Sequence, residues 1–148
     1  MSHAATLSMP PSLLWFRRIC WLGVVIWVST VFMLSSLSGP QIEELNTFRL
    51  NDKLCHFTAF FCGALPLVPA LRLTWRPWSW KRVLWTAILS LSIYGALDEV
   101  HQLATPSRSA LDPFDWMADT LGALVGAPLA ALIHAYAERK TRQTAPGN

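Results

Sequence analysis

Four long apolar stretches alternate with five polar segments, and the charges of those segments are sorted by side. Arg17 and Arg18 precede the first stretch, Arg72, Arg76, Lys81 and Arg82 separate the second from the third, and Arg139, Lys140 and Arg142 follow the fourth. These are nine of the twelve basic residues. The intervening segments hold only Arg49, Lys53 and Arg108, together with eight of the nine acids: Glu43, Glu44, Asp52, Asp98, Glu99, Asp112, Asp115 and Asp119. An excess of Lys and Arg in short loops marks the cytoplasmic face of a membrane protein. The pattern predicts an all-α fold, a bundle of four transmembrane helices with both termini cytoplasmic. Nearly every residue able to do chemistry then lies at the outer face.

Composition agrees. The chain is 53% hydrophobic and only 14% charged, against about 25% charged in soluble domains. Of eight tryptophans, Trp15, Trp21, Trp75, Trp78, Trp80, Trp85 and Trp116 fall near span ends, as an interfacial belt requires. A pI near 9.0 does not imply nucleic acid, because the basic residues flank apolar spans in short clusters. The implied partner is the lipid bilayer, with anionic inner-leaflet lipids adding attraction. Nothing in the sequence fixes an oligomeric state. Cys20, Cys55 and Cys62 form no framework. Cys55 and Cys62 lie roughly 10 Å apart along one helix, too far for a disulfide, and all three read as small apolar residues.

Residues 1–14 read as an N-terminal tail, 15–138 as the membrane domain and 139–148 as a basic C-terminal tail. The first span, near Ile19 to Leu37, carries no charge. It is longer than the h-region of about 7–15 residues in a cleaved signal, so it reads as a retained anchor. About 20 apolar residues cross the hydrocarbon layer. A loop over 41–52 follows, then spans near Lys53 to Leu71 and Val83 to Gln102. Pro66 and Pro69 are expected to kink the second span, and Pro128 the fourth. The fourth has a start signal, with Asp112 as N-cap, Pro113 at the first helical position and Asp115 three residues after the cap, and it runs on to about Ala137. Gly122 and Gly126, four apart, offer a smooth strip for another helix. Asp52 reads as the N-cap of the second span.

The ends of three spans carry a polar constellation. Lys53 and His56, three apart, share a face of span two. Asp98, Glu99 and Gln102 form one patch on span three, with His101 at its edge. Asp115 and Asp119 share the face of Gly122 and Gly126, and Arg108 follows in the loop. An acid in the apolar layer costs about 2.5–3.5 kcal/mol on insertion scales, so these acids need partners. Three readings stay open. The patch is a structural knot, with Asp98 or Glu99 paired to Arg108 and Lys53 to Asp119. Or it is catalytic, with His56 as base or nucleophile oriented by Asp98 or Glu99, Lys53 and Arg108 holding an anion such as a phosphate, and Gln102, Asp115 and Asp119 as further binding groups. Or His56, Asp98, Glu99 and Asp119 hold a divalent metal, although no H-E-x-x-H spacing appears. Elsewhere, His134 reads as interfacial and inert, His3 as tail, Glu43 and Glu44 as solvated loop charges, and Tyr94 as either a donor to a carboxylate or a packing residue. No nucleotide or redox motif is present. A proton- or ion-coupled carrier is disfavoured because the ionisable residues cluster at one face, leaving Thr30, Ser90 and Ser92 as the mid-depth polar groups.

Four segments in order resemble the VanZ-like family: Asp52-Lys53-Leu54-Cys55-His56-Phe57, Asp98-Glu99-Val100-His101-Gln102, Pro106-Ser107-Arg108-Ser109, and Asp115 to Gly122 with Gly126 beyond. The likeness spans roughly residues 35 to 130, and Ser35 and Ser36 match the family's Ser-rich exit from its first span. It implies a small integral protein of the bacterial cell envelope, in the inner membrane. The founding member is associated with resistance to the glycopeptide teicoplanin, but the likeness supplies no established reaction. Carried over by motif, the functional positions are Lys53, His56, Asp98, Glu99, Gln102, Arg108, Asp115 and Asp119. Where the family usually shows Asn, this chain has Asp119, which puts the site's proton count in doubt. The expectation is an outer-face site that acts on or binds a lipid-linked or phosphate-bearing envelope molecule, with no cofactor beyond an optional divalent metal. The competing class is a non-enzymatic scaffold or binding protein.

Overall fold

A computed structural model describes residues 9–46 and 51–144. Arg49 and His3 lie outside the described residues. Five helices follow one another: α1 (Pro11–Ser35), α2 (Gly39–Leu45), α3 (Asp52–Thr74), α4 (Trp80–Gln102) and α5 (Pro113–Thr144). There is no strand among the described residues. The chain is therefore all-α, and α1, α3, α4 and α5 are each long and apolar enough to cross a membrane.

Several boundaries differ from expectation. α1 begins at Pro11, inside the predicted tail, because proline suits the first helical position where its missing N–H costs nothing. α5 continues to Thr144, past the predicted end near Ala137. Asn51, not Asp52, is the N-cap residue of α3, and Asp52 occupies the first turn. The predicted loop over 41–52 is largely replaced in its first half by α2, which starts at Gly39 and whose Gln41 side chain accepts from both the N–H and the hydroxyl of Ser38, at 2.9 and 2.8 Å. The Ser-x-x-Gln spacing of a capping box was its sequence signal. α3 and α5 remain continuous helices through Pro66, Pro69 and Pro128.

α3 and α5 form the most extensive interface of the bundle. The predicted glycine strip makes it. A Cβ on Gly122 would overlap the carbonyl oxygen of Phe57, and one on Gly126 would meet the carbonyl oxygen of Phe61 at 2.7 Å. Without side chains there, the two backbones touch. α5 continues the small face into the core with Ala123, Ala127, Ala130 and Ala131, set against Phe60, Ala64 and Val68 of α3 and Ala87 and Leu91 of α4. Both α3 and α5 begin at the end that gathers the acids, so they run parallel.

α1 lies at the periphery and leaves most of its apolar surface outward, as lipid contact permits. It is anchored by directional bonds. The Trp27 ring fills the notch at Gly63, packs edge-on to Phe60 and donates its N–H to the Ala59 carbonyl at 2.7 Å. Tyr94 donates to the Val28 carbonyl at 3.0 Å, so it bonds backbone rather than a carboxylate. Near the other end Trp21 donates to Thr74 Oγ1 at 2.9 Å. There the loop 75–79 is held by arginines and rings. Arg72 donates to the carbonyls of Arg76 and Trp78 and lies 5.0 Å from the Trp80 ring centroid. Arg82 lies 4.4 Å over Trp78, which stacks on Trp75.

Candidate functional site at the acidic end

The start of α5 fixes one wall. Asp112 caps it, accepting from the Phe114 N–H at 2.8 Å, and α5 starts at Pro113, as its sequence predicts. The same carboxylate takes a bond from Lys53 at 2.7 Å, and Lys53 reaches Asp115 at 2.5 Å and Asp52 at 3.4 Å. The Lys53 ammonium holds the Asp112 carboxyl below its ordinary range. Lys53 therefore pairs with Asp112 and Asp115, not with Asp119. Its three donors are turned to carboxylates and not to an anion in the cavity.

One turn deeper along both helices, His56 Nδ1 lies 3.0 Å from Asp119 Oδ1. Asp119 is fully buried. Its second oxygen faces Gly95 of α4, where an added Cβ would come within 2.7 Å, and has no hydrogen-bond partner. With Asp119 ionised, which can only accept, the proton of this bond sits on Nδ1. Nε2 lies 3.8 Å from Asp115 Oδ1 and 4.0 Å from Asp52 Oδ1. The orienting acid for His56 is thus Asp119, in place of the expected Asp98 or Glu99.

Those two acids of α4 turn elsewhere. Asp98 Oδ2 accepts from Ser35 at 2.7 Å and from Gln102 at 3.0 Å. Glu99 Oε2 accepts from the Asp112 N–H at 2.8 Å, while its other oxygen is buried without a partner. Asp98, Glu99, Gln102, Asp115 and Asp119 are all buried. Thr105 ties the loop after α4 to α1 by donating to the Ser35 carbonyl at 3.1 Å. His101 sits beside Phe32, 3.0 Å from Ser36 Oγ, at the patch edge. Arg108 pairs with neither Asp98 nor Glu99; its Nε is buried without a hydrogen-bond partner.

Two adjoining cavities open on these groups. One, of about 310 Å³, is largely apolar, with Val31, Leu34, Leu45 and Ala59 among its walls. The other, of about 270 Å³, is polar, with Gln102, Ser109 and Asp115. Ile42, Asn46, Asp52, His56 and Arg108 line both. Of the predicted residues, the structure brings Lys53, His56, Asp115 and Asp119 into one ladder between α3 and α5. Asp98 and Gln102 form a buried network with Ser35 of α1, Glu99 bonds the start of α5 through the Asp112 N–H, and Arg108 stands across the cavities. Among the described residues, the group whose ligand atoms could share a metal ion is Asp52, His56 and Asp115, within 4.8 Å of one another, and not the expected set of His56 with Asp98, Glu99 and Asp119. Lys53 already lies against two of these three.

Some contributors went unread in the sequence. Ile42 and Asn46 were missed with α2. Ser35 was noted only as part of a Ser-rich exit. Gly95 was not singled out, although its spacing of three from Asp98 puts both on one face of α4.

Residues 20–134 match the VanZ/LLP1 family. This chain is a member of it. The match covers most of α1, all of α2, α3 and α4 and most of α5, and so every residue of the ladder and the buried network. No curated protein and no solved structure matches significantly. A VanZ-like chain with four membrane-spanning helices is a multi-pass membrane protein.

Proposed function

We propose that the acidic end faces outward and that its twin cavity takes a lipid-linked, phosphate-bearing molecule of the bacterial cell envelope, with His56 as the proton-transferring group. The observation that carries this reading is His56, 3.0 Å from the buried Asp119, on the wall common to an apolar and a polar cavity. A hydrocarbon chain suits the apolar chamber, walled by α1, α2 and α3. A head group suits the polar one. Asp119 fixes the ring and its tautomer, so Nε2 takes a proton from a hydroxyl or water held at the head group. Arg108 holds the anionic group, because Lys53 is engaged by Asp112 and Asp115. Family membership extends the reading to a role in the inner membrane bearing on glycopeptide tolerance.

One observation favours a non-enzymatic alternative. Asp98, Glu99 and Lys53 each bond groups on a neighbouring helix or at its cap, which is what a structural knot does. The two readings separate in a substitution panel scored for membrane abundance and for glycopeptide sensitivity. His56→Gln is expected to leave abundance near wild type and abolish the phenotype, whereas Asp98→Asn and Glu99→Gln lower abundance. Loss of abundance in His56→Gln and Arg108→Gln alike would remove the case for a functional site.

A further inference from the structure

A cavity larger than either of those at the acidic end lies at the opposite, basic end, and the reading above makes no use of it. It is a cleft of about 530 Å³ between α1, α3 and α5, within the size range of small-molecule sites. Leu13 and Phe16, Leu65 and Pro69, and Ile133 and Ala137 form its apolar walls. Inside this wall sits His134, only 8% exposed. Its ring is sandwiched by Phe16, stacked at 6.2 Å, and the edge of Trp80 at 5.9 Å. Nε2 is buried and faces Glu138 Oε1 at 3.3 Å. Arg76, exposed, stands at the same cleft.

Depth and charge identify what the cleft would hold. His134 precedes Arg139 by five residues, roughly 8 Å along α5, which sets it at ester or phosphate level if Arg139 lies among head groups. Arg17, Arg18, Arg76, Arg139 and Lys140 make this end strongly basic, and basic clefts between transmembrane helices hold anionic lipid head groups. Glu138 is the one acid at this end. It disfavours a free phosphate inside the cleft and leaves Arg76, in the loop after α3, as the contact for a head group outside it.

We infer that this cleft is a binding site for one anionic phospholipid, with an acyl chain between α1, α3 and α5 and the phosphate at Arg76. The site is independent of the acidic-end cavities, so either assignment can fail alone.

The full-length protein, purified in mild detergent, is titrated with phosphatidylglycerol and with phosphatidylcholine of matched chains, and retained lipid is counted by native mass spectrometry. Wild type is expected to keep one phosphatidylglycerol at least about threefold more often than phosphatidylcholine. Arg76→Gln, in an exposed loop outside the core, should erase that preference while keeping chain occupancy. Ile133→Trp, which fills the cleft from an exposed position, should lower retention of both lipids. Equal retention of the two lipids by wild type, or a phosphatidylglycerol preference that survives both substitutions in folded protein, would overturn the assignment.

Discussion

The two ends of the bundle manage charge in opposite ways. At the acidic end the charged groups go inside. Asp98, Glu99, Asp115 and Asp119 are buried and meet serine, glutamine, lysine, histidine or a backbone N–H at defined distances. At the basic end Arg72 and Arg82 lie over Trp80 and Trp78, and most of the cations stay at the surface. Side-chain length explains the contrast. Arginine and lysine reach water from inside the apolar layer on long stems, whereas aspartate, with a single methylene, must find its partner within the protein. The acidic end is therefore stitched and geometrically specified, and the basic end is adaptable.

The contrast can be broken most severely at the seam that aligns the stitches. Gly122→Leu drives a side chain into the Phe57 backbone and should strip folded protein from the membrane, a loss of about 3 kcal/mol, the upper end of the overpacking scale. Immunoblot abundance and thermal unfolding in detergent report it, and wild-type stability would refute the close approach of α3 and α5. Asp119→Leu comes next. It leaves His56 without its acceptor, at a cost of about 1–3 kcal/mol. Asp119→Asn keeps an acceptor oxygen and should stay near wild type in abundance. If the two behave alike, the pair does not orient the ring. At the other end, Arg82→Gln should cost only about 0.5–1 kcal/mol, since its ring contact is partly exposed. A loss as large as that of Asp119→Leu would erase the distinction between the ends.

The smallest effect is a pH dependence. Lys53 lowers the Asp112 carboxyl below its ordinary value, so the folded state binds the proton less readily than the unfolded chain. That contribution is complete above the unfolded carboxylate range of about 4 and fades as pH falls through the lowered value. Thermal unfolding between pH 6 and roughly pH 3 should show a weaker acid-side decline in Asp112→Asn than in wild type. Identical slopes would mean that Asp112 contributes nothing to the link.

Local signals were legible in the sequence, and partnerships between helices were not. The start of α5 follows from Asp112 and Pro113 alone, because a cap involves neighbours in the chain. The glycine strip at 122 and 126 named the face of α5 but not the helix it meets. Lys53 was assigned to Asp119 because both lay near one depth, yet it bonds Asp112 and Asp115. The missing step was direction. α3 and α5 both start at the acidic end, so in parallel register Lys53 falls beside the first acids of α5 and His56 beside Asp119, one turn in. Asp98 gave no sign that it would take Ser35, because which face α1 offers depends on the Trp27 ring settling against Gly63, a fit of shapes that spacing does not encode.

The backbone contact at Gly122 and Gly126 has a consequence beyond adhesion. It works as a detent, a pair of notches that lets the two parallel rods rest at one axial offset. A slide of a single turn would present His56 with Asp115 and strand Asp119 among hydrocarbon. The choice of which acid attends the imidazole is thus set by two missing methyl groups farther down the rod.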